Sequence, residues 1–477
     1  MRTKLDSRLR FEARVALYSS LTVVGLLLAA AAPFLHRVFE PSSEDFVVLD
    51  PEHATAGPTL LLQRYLHINT AQPHANELAG AEFLAGVLEE AGIPAHVEAL
   101  GGGHANLYAI LEGESPEALV LHNHIDTDPL KEDQPWKYPP LSGTIELPYL
   151  YGRGAFDMKS IAIAQLEAVI ALKKSGAKPR RSVIFLATGS EEVGSDLGTK
   201  WIIRNHPELA GRFWAFLSEG GTLETRSLRN PKYWGIEFAQ KDYASVVLCS
   251  DRRERLEELR EELIAELGAG SIEVQMAPEM RAFFASYGPT RQDEELRDLM
   301  RRPEAFALDA QRMAALPRFH RAMLRDEAHP FAVEPDPGGG FRMLVKFHLL
   351  PGSSFAAVKE KWLPLWRTFG LDQTTWHEGD ADHGSALTGE VWTALQEELR
   401  EAHPNAPVGP WFLIFSGTDA RFARTLGIPA YGFSPFFIDT MDSFHVGSID
   451  ERIYLPSFLE GVEIYRKVVA RLAGSDR

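Results

Sequence analysis

The stretch that most constrains this chain is residues 183–194, VIFLATGSEEVG, where a run of apolar and β-branched residues gives way to small residues and then to Glu191 and Glu192. Such a run reads as a strand buried on both faces, and its carboxyl end delivers two acids to one spot. In open α/β sheets the crevice beyond the strand carboxyl ends is where ligands sit. Neighbouring acids there can take separate tasks, one turned to a metal and the other to a water. A pair of glutamates is also common in solvated loops, so its weight depends on what the other strands deliver.

Three other segments deliver the same kind of chemistry. A short buried strand at 118–122 runs into His124 and Asp126, two apart on extended chain and therefore pointing to one side. A carboxylate beside a histidine can orient the imidazole and raise its basicity. Asp157 stands in YGRGAFDMK, just before a long helix at 158–174, where glycines let backbone approach a site closely. A further apolar strand at 213–217 ends in Glu219. Strands at 95–99 and 105–111 and a capped helix at 76–92 complete the first half. This alternation predicts an α/β fold, a central mixed sheet flanked by helices.

At 477 residues the chain is long for one core, and two domains are expected. From about residue 235 the pattern changes to an inserted α+β lid over 235–370. It reads as a strand at 235–249, a charged helix at 251–267, a strand at 271–276, a helical stretch at 293–325, a strand at 341–350 and a helix at 354–369. The catalytic domain is thereby split into 59–234 and 371–477. Lysine plus arginine number 49 against 66 acids, a net charge of −17. No basic run follows the first residues, which argues against a nucleic-acid partner. The single cysteine, Cys249, makes no intrachain disulfide and no CxxC motif.

The start of the chain has its own character. A basic tail over 1–14, with Arg2, Lys4, Arg8, Arg10 and Arg14, precedes an apolar segment at 15–35 that as a helix would reach roughly 30 Å, the thickness of a bilayer core. The expectation is an N-terminal transmembrane anchor with the rest of the chain on the extracytoplasmic side. If the segment is cleaved as a signal peptide, the protein is secreted. Residues 36–58 read as a linker.

Taken together, HIDTDP, YGRGAFDMK, GSEEVG, SEGG and, far downstream, SGTDARFA and FH resemble the M20 metallopeptidase family, nearest its carboxypeptidase S / PM20D1-like branch. The resemblance covers about 60–234 and 411–472. It implies two Zn²⁺ ions, with Co²⁺ or Mn²⁺ as substitutes: Asp157 as bridge, His124 and Glu219 completing one site, Glu192 and His445 the other. Glu191 is then the general base, and Asp126 orients His124. Imidazole and carboxylate ligands suit these ions. The implied activity is cleavage of an amide bond in a small peptide or an N-acyl amino acid, and in relatives the lid often carries a homodimer contact.

Two departures accompany the resemblance. Where relatives have a glycine-rich loop with a histidine, residues 243–249 pass directly into a charged helix. Where they commonly have a lid arginine for a substrate carboxylate, this chain reads Lys346, Phe347, His348. The remaining candidates for substrate binding are His348, Gly417 and Thr418, and the loop at 376–387 carries His377 and His383. Asp419 reads as a helix cap. These departures leave a second possibility, a metal-binding relative that does not turn over.

Overall fold

A computed structural model describes residues 49–73, 76–227, 230–268, 278–307, 309–371, 374–379, 382–438 and 445–474. The basic tail, the expected anchor at 15–35, most of the expected linker and the strand expected at 271–276 lie outside them. Among the described residues no helix is long and apolar enough to cross a membrane. The last part of the expected linker is helical, with helices at Glu52–Thr55 and Gly57–Leu66. The second of these runs on past the expected linker end and buries Leu62, Tyr65 and Leu66 in the expected catalytic domain, while the first buries no side chain.

The strands in chain order are β1 (Ala95–Gly101), β2 (His104–Leu111), β3 (Ser115–His124), β4 (Thr144–Glu146), β5 (Tyr149–Tyr151) and β6 (Arg181–Thr188). Then come β7 (Phe213–Ser218), β8 (Thr222–Ser227), β9 (Asn230–Gln240), β10 (Asp242–Ser250), β11 (Glu327–Pro335) and β12 (Phe341–Leu349). The last are β13 (Thr374–Glu378), β14 (Val408–Leu413), β15 (Ala430–Gly432), β16 (Phe437–Ile438) and β17 (Arg452–Tyr454). The main sheet runs β1-β2-β6-β3-β7-β15-β9-β8-β16, with β14 paired to β9. It is mixed: β3 lies parallel to both β6 and β7, whereas β1, β2 and β6 pair antiparallel.

Both faces of this sheet are covered, which is why its central strands read as unbroken apolar runs. Leu119, Leu121, Val183 and Phe185 face a core shared with the helices Lys159–Lys174 and Leu455–Ala473. Val120, Ile184, Leu186 and Phe216 face the opposite core, closed by Ile202, Ala420 and Ala423. Burial on both sides fixes the register, because a slip of one residue would exchange the two faces.

The second sheet has the order β11-β12-β10-β13 and is antiparallel throughout. Its strands share a core with the helices Arg253–Gly268 and Phe355–Thr368 through Val246, Val345, Phe347, Leu259 and Trp366. The boundaries differ from those expected. β9 continues to Gln240 while still paired to β14, and β13 joins the lid sheet after residue 370. The helices between 278 and 322 contribute Met280, Phe283, Leu299 and Met313 to the core of the main sheet, where Phe283 lies edge-on to Trp411 at 5.7 Å. Amphipathic spacing shows that one face of each helix is covered, not which sheet covers it.

Two segments cross between the sheets, and one buried cation ties both. Arg424 pairs with Glu237 of β9 at 2.5 Å and with Asp382 at 2.6 Å. Asp382 in turn accepts the N–H of Gln240 at 2.8 Å and donates its own N–H to Asp242 on the other side of the crossing.

Candidate metal centre

The parallel alignment of β3, β6 and β7 brings their carboxyl ends side by side, with His124 opposite Thr188 and Leu121 opposite Leu217. His124, Glu191, Glu192 and Glu219 leave from these ends. Asp157 joins them from the turn before the helix Lys159–Lys174. Nε2 of His124 lies 3.1 Å from Asp157 Oδ1 and 3.4 Å from Glu219 Oε1. Ligand atoms of His124, Glu191 and Glu219 fall within 4.8 Å of one another, as do those of His124, Asp157 and Glu192. Five of the six expected metal-site and base residues are thus brought together. The shared member of the two groups is His124, and Glu191 stands at ligand distance.

His445 is in neither group. Its Nδ1 lies 2.8 Å from the Ile449 carbonyl, and donation there leaves the lone pair on Nε2, the tautomer a metal requires. Val446 and Gly447 beside it line the same cleft as the acids.

Asp126 meets His124 chiefly through its main chain, and its carboxylate has a further task. The contact at His124 Nδ1 is the main-chain carbonyl of Asp126 at 2.8 Å, with the carboxylate oxygen at 3.7 Å. The carboxylate accepts instead from the N–H groups of Glu191 at 3.0 Å and Glu192 at 3.2 Å, and from Gln72 at 2.9 Å. It grips the turn that carries both glutamates. That turn needs gripping, because Ser190 and Ser195 both sit at positive φ, 61° and 62°, a region costly for residues other than glycine.

Two further buried acids hold backbone in the same way, and sequence reasoning missed both. Glu77 accepts the N–H of Ser190 at 2.9 Å and that of Ala105 at 3.2 Å. It opens a helix, where an acid is explained by the dipole alone. Glu451 accepts from Gly154, Phe156 and Asp157 N–H at 3.0–3.1 Å and pairs with Arg153 at 2.8 Å. The one available signal for it is its place six residues after His445. Asp419 does not cap the helix that follows it. Its carboxylate accepts the hydroxyls of Ser195 and Thr199, tying the far end of the glutamate turn to the downstream loop.

The electrostatics fit a cation. Burial pushes Glu219 up to about 8 and Glu192 up to about 10, and the charge on Asp157 adds to both. Glu191 is driven well above its ordinary range, chiefly by burial. His124 moves the other way: burial alone would strip its proton, but the acids around it outweigh burial and raise its pKa. The site therefore holds four carboxylates that only protons or cations can neutralise. The donor set of one imidazole and carboxylate oxygens suits Zn²⁺, Co²⁺ or Mn²⁺.

Above these residues lies a cleft of about 790 Å³. Its floor includes Asp157, Glu191, Glu192 and Glu219, one wall is the loop with Gly417 and Thr418, and its roof is Tyr243, Lys346 and His348 of the lid sheet. All three substrate-binding candidates thus line it. His348 is not a cation: burial first, and then the charges of His329 and Lys241, push its pKa down to about 3. His377 pairs with Ser245 along the edge strand β13, and His383 lines a separate cavity.

Comparison with known proteins agrees with this architecture. The model of "Peptidase family M20/M25/M40" matches residues 120–471. Aminoacylase-1 of Sus scrofa is 25% identical over 437 residues, covering 87% of this chain and 94% of the relative. Among solved structures, the M20 family metallo-carboxypeptidase Sso-CP2 of Sulfolobus solfataricus superposes with a TM-score of 0.66 at 19% identity, over 88% of this chain and 99% of that one. Human carnosine dipeptidase 1 does so with a TM-score of 0.62 at 15% identity, over 88% and 98%. The chain belongs to the peptidase family M20/M25/M40 and is a hydrolase acting on amide bonds.

Proposed function

We propose that the protein is a two-metal amide hydrolase of small peptides or N-acyl amino acids, with Glu191 as the proton carrier. The observation that carries this reading is the convergence of half-buried Asp157, Glu191, Glu192 and Glu219 around the buried His124 on one cleft floor. His124, Asp157, Glu192 and Glu219, with His445 from the downstream loop, would hold the ions. When bound, a pair of divalent cations polarises the scissile carbonyl and makes water a nucleophile near neutral pH.

The chain's own residues do the rest. Glu191, beside the ligands, takes the proton of the attacking water and returns it to the leaving amine. Asp126 and Glu77 fix the turn on which Glu191 stands, so its carboxylate needs no reorganisation as the proton moves. The roof and the Gly417–Thr418 wall keep the substrate over the floor and exclude bulk water. Likeness to an aminoacylase over most of the chain favours N-acyl amino acids as substrates, while the carboxypeptidase S / PM20D1-like assignment rests on the motif resemblance alone. The basic and apolar start of the sequence is what supports reading this activity as membrane-anchored and extracytoplasmic.

The test is metal content and hydrolysis of dipeptides and N-acyl amino acids in wild type and Glu191→Gln. Turnover should fall on the order of 10²- to 10⁴-fold with metal retained. A second reading, a metal-binding protein without turnover, is favoured by one observation: the roof presents a neutral histidine and no arginine to the cleft among the described residues. Two bound ions in a wild type that cleaves none of these amides would establish that reading instead.

A further inference from the structure

The helices between 278 and 322 do more than cover the main sheet. Two of them, Pro278–Tyr287 and Glu294–Arg301, enclose a cavity of about 310 Å³ that shares no lining residue with the cleft. Its floor is apolar, with Phe284 and Met300 buried. Three arginines line it, Arg281 from the first helix and Arg297 and Arg301 from the second, and no acid does so among the described residues. In a chain of net charge −17 this gathering of one sign runs against the rest of the molecule.

The three arginines are held to different degrees. Arg281 pairs with Glu304, and both are exposed. Arg297 lies 3.6 Å from Glu294, which is 92% exposed, and a pair so open to solvent is worth little. No acid among the described residues lies within ion-pair distance of Arg301. Its neighbour Arg302 donates to Asp298 at 3.1 Å, and Arg312 takes the other oxygen of the same carboxylate at 3.3 Å. The helix's own Asp298 thus serves arginines outside the cavity.

Arg297 and Arg301 stand four residues apart, neighbours on one face of the helix, an arrangement that like charges disfavour. An anion between them turns that repulsion into attraction. The planar fork of an arginine matches the two oxygens of a carboxylate, while the buried floor offers contact to hydrocarbon and not to a second charge. A cavity of this size stands at the lower end of small-molecule sites, so the tail that fits is short and is not that of a membrane lipid.

We propose that this cavity binds a free carboxylate carrying a short apolar tail, with the acid between Arg297 and Arg301 and the tail against Phe284 and Met300. The acid half released from an N-acyl amino acid is such a molecule, and that link alone rests on the amide-hydrolase reading above.

The test is calorimetric titration of octanoate into the metal-loaded full chain, as wild type, as the double variant Arg297→Ala, Arg301→Ala, and as Ala285→Phe, which places a ring in the cavity. Octanoate should bind wild type, and both variants should lose roughly tenfold in affinity. Octanol, which has the tail without the charge, should bind wild type roughly tenfold more weakly than octanoate. Arg301 and Ala285 are exposed and Arg297 half-buried, and an unchanged thermal midpoint reports that each variant is folded. No binding to wild type, equal affinity in all three proteins, or equal binding of octanol each overturns the proposal. Capture on phosphatidylglycerol vesicles without binding of free octanoate would mean that the arginines meet a lipid surface, and overturns it as well. Octanoate is not an amide, so a failure of the amide-hydrolase reading would leave these affinities standing and remove only the link to a released acid.

Discussion

The floor and the roof of the cleft face the same space but are built on opposite terms. On the floor His124 is buried and the acids around it are half-buried, and the backbone of three of those acids is gripped by a further carboxylate: Asp126 holds the N–H groups of Glu191 and Glu192, and Glu451 holds that of Asp157. On the roof Lys346 is exposed, and His348 Nδ1 is buried without a hydrogen-bond partner. The difference teaches where specificity of position is invested. On the proposed reading a metal tolerates little displacement of its ligands, so their supports are rigid, whereas the roof, which supplies no ligand to it, can leave its side chains loosely held.

The contrast can be broken most sharply at Glu451. Glu451→Ala removes the counter-charge of buried Arg153 and the acceptor of three N–H groups, and should cost about 3–5 kcal/mol with loss of bound metal. Denaturant midpoints together with metal stoichiometry check this. A fall below about 1 kcal/mol with metal retained would show that the floor does not need its acid supports.

A smaller effect is expected where the lid joins the floor, at Glu327. Burial would raise its pKa, but the hydrogen bond from His329 and the charges of Lys241 and Arg325 outweigh burial and hold it at about 2. Because the folded value lies below the ordinary carboxylate range, this group stabilises the fold above about pH 4.5, and the contribution is lost as pH falls towards 2. Urea midpoints across that window should drop less steeply in Glu327→Gln than in wild type. Parallel curves would remove the lid from the acid response.

The smallest effect belongs to Lys346→Ala, which should change stability by less than about 0.5 kcal/mol and kcat/KM on an N-acyl amino acid by under about threefold, as its ammonium is solvated. A tenfold loss in kcat/KM would show that the roof contributes a cation after all.

The same contrast decides what the sequence discloses. His124, Glu191, Glu192 and Glu219 are local to the ends of strands whose apolar runs are plain, and parallel pairing does the rest. Glu77 and Glu451 act on turns 113 and about 300 residues away, respectively, and beyond the place of Glu451 six residues after His445 nothing in their own neighbourhoods announces it. Asp126 was visible as a residue, but the atoms it grips belong to a distant turn. The helices between 278 and 322 carried a legible apolar face and no sign of which sheet it would meet. Arg297 and Arg301 stand four apart in plain view, yet that Arg281 joins them around one cavity is seen only once both helices have been placed.

Arg424 deserves a last consideration, because the two chain segments that join roof to floor converge on its guanidinium through Glu237 and Asp382. Separating those acids from it would leave three charges stranded in a dry interior, a far larger penalty than any tilt that keeps them joined. The crossing between the two sheets is therefore a fixed joint, held by charge where both segments pass.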